Sequence, residues 1–289
     1  MPIGSASGLR YLPCLFALFL ILVSGVYDDF RPVASHYKLL AQSVAALIVI
    51  IPGFTFQRIV YFPIGSLPVA LGYAITLLWI VGLSNAINLI DGIDGLAGGL
   101  SGLIALFYGL IFYFNGVPFQ KILFCTALVG VVAGFLVFNA PFPKAKIFMG
   151  DCGSQFLGFL LALLPLLAKD DSRVALPVPY AAALLMIPIF DTTAAAWRRI
   201  REGRRIDEPD TFHVHHKLLN LGLSVRQVDA VLCGLQVILG VLVFVSVHLD
   251  GLPSLYVLGG AYIIGLVFFT VVHYKNCAVV KAGMPPTNY

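Results

Sequence analysis

The sequence predicts an all-α protein that crosses a membrane many times. Three observations carry this. Of its 289 residues, 60% are hydrophobic and 11% charged, against roughly 25% charged in a soluble domain. Apolar runs of about 16 to 20 residues, the length needed to cross a hydrocarbon core, recur along the whole chain. No stretch is long enough to be a soluble domain, the longest polar segment being 191–227. The expectation is one integral membrane domain over 1–289, with 191–227 as its largest loop.

About nine spans are bounded by turn or charged residues, near 11–26, 39–53, 68–84, 96–114, 122–138, 155–168, 175–190, 228–247 and 255–274. The first follows Arg10 and superficially resembles a signal peptide. It runs into "VYDDF" rather than a small-residue cleavage site, so it reads as a retained span. The segments 155–168 and 175–190 are short and contain prolines, which membrane helices tolerate when neighbours satisfy the freed backbone groups. The five cysteines show no CxxC or paired spacing, so neither a disulfide framework nor a zinc motif follows from them.

Alternation of spans sorts the loops. One side collects 27–38, 85–95, 139–154, 191–227 and the tail from 275, with 13 Lys and Arg; the other side has 5. The positive-inside rule makes the first side cytoplasmic and puts the N-terminus outside. Net charge is +4, which here speaks to topology and not to a nucleic-acid partner. Asp28, Asp29, Asp91, Asp94, Asp151 and Asp191 all fall on the cytoplasmic side, whereas Asp170, Asp171 and Asp250 fall outside. Carboxylates at membrane depth are costly and mark functional sites. Six on one face call for a counter-charge from a divalent metal, a metal-bound phosphate or basic side chains.

Four segments carry candidate chemistry. "VYDDFRPVASHYK" holds Asp28 and Asp29, an adjacent pair whose mutual repulsion suits one of them to proton transfer, and Lys38, a point charge for phosphate. A solvated turn is the plainer reading. In "NAINLIDGIDGLAGG", Asn85, Asn88, Asp91 and Asp94 recur every three residues. On a continuous helix they would form one polar stripe, and such hard oxygen ligands suit Mg²⁺. Packing through small residues explains the glycines but not the acids. "KAKIFMGDCGSQFLG" puts Asp151 at the mouth of a span, with Ser154 a candidate cap. "WRRIREGRRIDEPDTFHVHHKLL" supplies five arginines, including Arg204 and Arg205, and His213, His215 and His216. Imidazoles contacting a phosphate or sugar fit better than zinc, because no further ligand stands at structural-zinc spacing.

Taken in order, Asp28, Asp29 and Lys38, "NAINLIDGIDGLAGG", "FMGDCGS", "IPIFDTTAAAWRR" and "HVHHKLL" resemble the polyprenyl-phosphate N-acetylhexosamine-1-phosphate transferases, glycosyltransferase family 4. The resemblance runs from about residue 12 to 275 and is closest to the bacterial undecaprenyl-phosphate GlcNAc-1-phosphate transferases. It implies a Mg²⁺-dependent (or Mn²⁺-dependent) transfer from a UDP-N-acetylhexosamine to a polyprenyl phosphate at the cytoplasmic face of the bacterial inner membrane. UMP would be released and a lipid-linked envelope glycan begun. It further implies Asp151 as the principal metal ligand with Asn88 beside it, and Asp28 and Asp29 as the pair acting on the lipid phosphate, assisted by Lys38. Asp91 and Asp94 would line the nucleotide and metal site, and Asn85 and the three histidines would contact substrate, the histidines on the donor side.

Two departures stand out. The family's first two helices, which precede the "DD" loop, have no counterpart in this sequence, so either Met1 is an internal start or the chain is a truncated homologue. Thr211 follows Asp210 where relatives commonly carry a basic residue, so one donor-phosphate contact is expected to be either missing or supplied by Arg204 or Arg205. HxHH favours the GlcNAc branch over the phospho-MurNAc-pentapeptide branch. A non-catalytic lipid-phosphate-binding relative and a cation-coupled transporter are the rival readings. A transporter site belongs near the midplane, not at one face. Whether the chain forms a homodimer is left open by the sequence.

Overall fold

The computed structural model describes residues 9–56, 67–140, 144–168, 176–205, 208 and 212–281. Asp170, Asp171, Asp210 and Thr211 lie outside them. The helices are α1 (Leu12–Phe30), α2 (Ser35–Ile50), α3 (Val69–Ile90), α4 (Leu96–Phe114), α5 (Phe119–Asn139), α6 (Gly150–Leu167), α7 (Val178–Leu184), α8 (Met186–Arg201), α9 (Val214–Asn220), α10 (Val225–Val247) and α11 (Gly251–Lys281). No strand occurs among the described residues. Seven helices (α1, α3, α4, α5, α6, α10 and α11) are long and apolar enough to cross a membrane, or eight spans if α7 and α8 count as one; α2 is a shorter apolar helix. The chain is therefore a multi-pass membrane protein. The nine expected segments resolve as seven full-length helices, one bent pair and one short helix.

The bent pair corrects the expected 175–190 span and the loop after it. α7 and α8 meet at 90°, and α8 carries helix on to Arg201, well into what the sequence presented as loop 191–227. Pro188 explains the break. Its missing N–H needs no partner in the first turn of α8, whereas its ring would strike the carbonyl of Leu184 if α7 ran straight on. α8 ends in Arg198, Arg199 and Arg201, which complement the carbonyl end of the helix dipole. α9 and the Ser224–Gln227 capping box that opens α10 account for more of the same stretch.

The chain folds into two compact units. One comprises Met1–Asn88 and Met149–Pro179; the other comprises Leu89–Phe148 and Tyr180–Tyr289. In the first, α1 packs on α2 and on α6, with Ala17, Ile21, Ala45, Val49, Ile80 and Ile87 fully enclosed. α6 also lies hard against α3. A Cβ added at Gly158 would fall 2.5 Å from the Leu83 carbonyl oxygen and 2.7 Å from Ser84 Cα. The Trp79 indole N–H donates to the Ala162 carbonyl at 3.0 Å. Close approach of this kind, with polar groups bonded across it, is what joins helices where lipid is as apolar as the side chains. In the second unit α4 packs on α5 and α10, and α11 packs on α10 and α9.

Candidate active site

In the first unit, four helix ends converge. Lys38, at the start of α2, donates to Asp28 Oδ2 at 2.5 Å and to Asp151 Oδ2 at 2.7 Å. Asp28 is 7% exposed, and its other oxygen accepts the Val33 N–H at 2.8 Å, so it also shapes the α1–α2 turn. Asp29 is exposed, with its carboxylate against Gly150 at the start of α6. The Asn88 amide, near the end of α3, donates to Asp151 Oδ1 at 3.0 Å and to Ser154 Oγ at 2.9 Å. Ser154 in turn donates to the Gly150 carbonyl at 2.8 Å. It therefore braces Asn88 from within α6, where the sequence suggested a helix cap.

A second tier lies one turn deeper. Gln42 donates to Gln155 at 3.0 Å and accepts the Asn85 amide at 2.6 Å. Lys38–Asp151 and Gln42–Gln155 are each separated by 113 residues, so α2 and α6 run in the same direction, each rung one turn beyond the last. Asn85 also donates to the Val81 carbonyl at 2.8 Å. It thus holds the ladder through its amide nitrogen.

A cavity of about 610 Å³ opens beside this cluster. Asp28, Arg31 and Lys38 line its polar part, while Leu20, Val23 and Ala41 line its apolar part. A charged, polar end and an apolar body match an amphiphile with a charged head group.

The second unit holds the remaining candidates. The expected Asn–Asp stripe is broken, because α3 ends at Ile90 and Asp91 and Asp94 lie in the turn before α4. The Gly92 N–H bonds the Ile90 carbonyl at 2.8 Å, and Gly95 takes φ +91°, a conformation that glycine adopts freely. The turn meets the histidine segment directly. A Cβ at Gly92 would collide with the His215 imidazole. His215 is 1% exposed, its ring parallel to His213 at 5.9 Å and 4.2 Å from His216. Among the described residues neither of its nitrogens has a hydrogen-bond partner. Burial first, and then neighbouring His216, push its pKa down to about 3 against the opposing pull of Asp191, so the ring is neutral at physiological pH.

His213 is fixed differently. Asp191, on α8 and 2% exposed, meets His213 Nδ1 at 2.7 Å and accepts the Val214 N–H at 2.6 Å. One carboxylate thus orients the imidazole and anchors the first turn of α9. Arg204 pairs with Glu208 at 2.8 Å and Glu202 at 3.5 Å, and the Arg205 N–H donates to Glu208 at 3.2 Å. The Arg204 guanidinium holds the Glu208 carboxyl below its usual range.

The chain matches the family model described as glycosyl transferase family 4 over residues 11–169. The chain belongs to glycosyl transferase family 4. Among the relatives of this family member, a probable undecaprenyl-phosphate N-acetylglucosaminyl 1-phosphate transferase of Bacillus subtilis (strain 168) is 38% identical, the match covering 72% of this chain and 58% of that protein. The undecaprenyl-phosphate alpha-N-acetylglucosaminyl 1-phosphate transferase of Escherichia coli (strain K12) is 29% identical over 75% of this chain and 59% of the relative. A decaprenyl-phosphate N-acetylglucosaminephosphotransferase of Mycobacterium tuberculosis (strain ATCC 25618 / H37Rv) is 32% identical, at 74% and 58%. The chain thus spans somewhat under two thirds of the length of the curated relatives it matches.

Several residues of this family member's site escaped the sequence reading. Gln42 and Gln155 stand four residues after Lys38 and Asp151, and that shared spacing in apolar helices was the available signal. Asp191 was visible as an acid but not as the partner of His213. Asn139, which accepts the Gly95 N–H at 2.8 Å and donates to the Ile147 carbonyl at 2.9 Å, ends an apolar helix without a motif to mark it. Asp229 lies on α10 against Gly95, within electrostatic reach of Asp94, and only its place inside an apolar span could have flagged it.

Proposed function

We propose that the chain transfers N-acetylglucosamine-1-phosphate from a UDP-sugar to a polyprenyl phosphate, at the cytoplasmic face of a bacterial inner membrane. The observation that carries this reading is one ammonium, Lys38, bridging Asp28 and Asp151 at the wall of a cavity that carries charged side chains at one end and is apolar along its body. Family membership and the relatives' names support the same chemistry.

The site suits a divalent cation bound together with substrate. Among the described residues no three of His, Cys, Asp and Glu form a ready cage, and Mg²⁺ is ordinarily held by one or two carboxylates plus substrate phosphates. Two carboxylates already aim at a common positive charge, so the donor set fits. Asp151 would hold the ion, with the Asn88 carbonyl oxygen beside it; when bound, the ion offsets negative charge on the diphosphate. The lipid phosphate would sit at Lys38 and Arg31 with its chain along Leu20, Val23 and Ala41. Asp28 and Asp29 would orient it and take its proton. A lipid phosphate oxygen then bonds to the donor's β-phosphorus as the bond to the bridging oxygen breaks and UMP leaves. Positioning and charge stabilisation supply most of the rate in such transfers. The neutral His215 and the Asp191-oriented His213 would take part in donor recognition.

Membranes containing this chain, given radiolabelled UDP-GlcNAc and undecaprenyl phosphate, should form an organic-extractable product only with a divalent cation. Asp151→Asn should form none while still inserting and folding. Full turnover by that variant would overturn the assignment of Asp151, and product from UDP-MurNAc-pentapeptide alone would move the chain to the other branch.

A further inference from the structure

A second groove, in the other unit, lies between α8 and α11 and holds about 540 Å³. Its two walls are helical stripes. On α8 the stripe begins at Phe190 and ends at Trp197, Arg198 and Arg201; on α11 it begins at Leu266 and Phe269 and ends at His273 and Tyr274. Both walls therefore change from apolar to polar in the same direction, with the arginines on α8. The register agrees, since Phe190 and Phe269 meet edge to face at 5.7 Å. At the other end Lys217, Arg198 and Arg201 all act electrostatically on the His273 ring. Among the described residues that line the groove there is no carboxylate. Trp197 and Tyr274 are 67% and 70% exposed and Leu266 is 59% exposed, so the groove opens sideways to whatever surrounds the helices.

We propose that this groove binds an anionic glycerophospholipid from the surrounding bilayer, its phosphodiester at Arg198, Arg201 and Lys217 and an acyl chain along Phe269 and Leu266. Basic pockets between membrane helices recognise lipid head groups in this way, and exposed Trp and Tyr belong at the headgroup level. A cluster of cations at one end of an otherwise apolar groove suits retention of an anionic amphiphile. Lateral openness suits a ligand drawn from the bulk bilayer. The inference is independent of the transferase reading and of the cavity beside Lys38.

The chain has two tryptophans, and Trp79 is 8% exposed, so quenching by lipid reports mainly on Trp197. The full chain is reconstituted in phosphatidylcholine vesicles containing a minor fraction of brominated phosphatidylglycerol or, in parallel, of brominated phosphatidylcholine. Brominated phosphatidylglycerol should quench more strongly, with Trp197→Phe removing the difference. Arg201→Gln, at an exposed position, should lower the apparent preference about fivefold, the weight of one basic residue at a lipid surface. Equal quenching by the two lipids would contradict the proposal. So would relief of quenching by a trace of undecaprenyl phosphate, which would make the groove a polyprenyl-phosphate site.

Discussion

His215 separates stability from function at a single residue. Its ring is buried and neutral, with no partner for either nitrogen among the described residues, so nothing that holds the fold depends on those nitrogens. Because its folded pKa lies near 3, below the unfolded 6.5, the unfolded chain binds a proton first as pH falls. The stability conferred by the neutral ring is therefore complete above about pH 6.5 and lost progressively down to about pH 3, at about 1.4 kcal/mol per pH unit. His215→Phe keeps the ring against Gly92 and removes that slope. Thermal unfolding in detergent between pH 7 and pH 5 should show the midpoint of the natural chain falling relative to that of the variant. Transferase activity should nonetheless be lost, as expected of a donor contact. Retained activity would reduce the histidine to a packing residue.

At the scale of the element, α6 sets the geometry by lying against α3 at Gly158 while carrying Asp151 towards Asn88. A methyl group at 158 would meet backbone atoms of Leu83 and Ser84, which cannot yield as a flexible side chain can, so α6 would have to shift. Overpacking of this kind costs about 1–3 kcal/mol. Gly158→Ala should lower the thermal midpoint and raise the divalent-cation concentration needed for half-maximal activity. Gly130→Ala on α5, where a Cβ meets nothing within 4 Å, should do neither. An unchanged metal requirement in Gly158→Ala would disconnect the α3–α6 contact from the site. The positions of the helices were legible in the sequence, because apolar length alone marks a span. Their breaks were not. The three-residue spacing of Asn85, Asn88, Asp91 and Asp94 looks like one helical stripe until Gly92 and Gly95 end it, and Pro188 in the 175–190 segment looks tolerable until α7 and α8 turn apart.

At the scale of the whole molecule, the sequence placed Asp28, Lys38, Asn88 and Asp151 in one functional group. The first unit brings them within hydrogen-bonding distance of one another through Lys38 and Asn88. The pairing of Lys38 with Asp151 joins residues 113 apart and that of Asn88 with Asp151 residues 63 apart, so neither could be read from local spacing; nor could the partnership of Asp191 with His213, 22 residues away. Chemistry was legible because acids and amides are expensive in apolar helices. Geometry was not, because it depends on which helices pack. The central claim is transfer of a sugar phosphate, not of a sugar, and the label that decides it is the donor's β-phosphorus. With UDP-GlcNAc labelled there and undecaprenyl phosphate as acceptor, the account predicts that the label enters the lipid product and that unlabelled UMP is released. Label recovered in UDP, with only the sugar in the lipid, would contradict it.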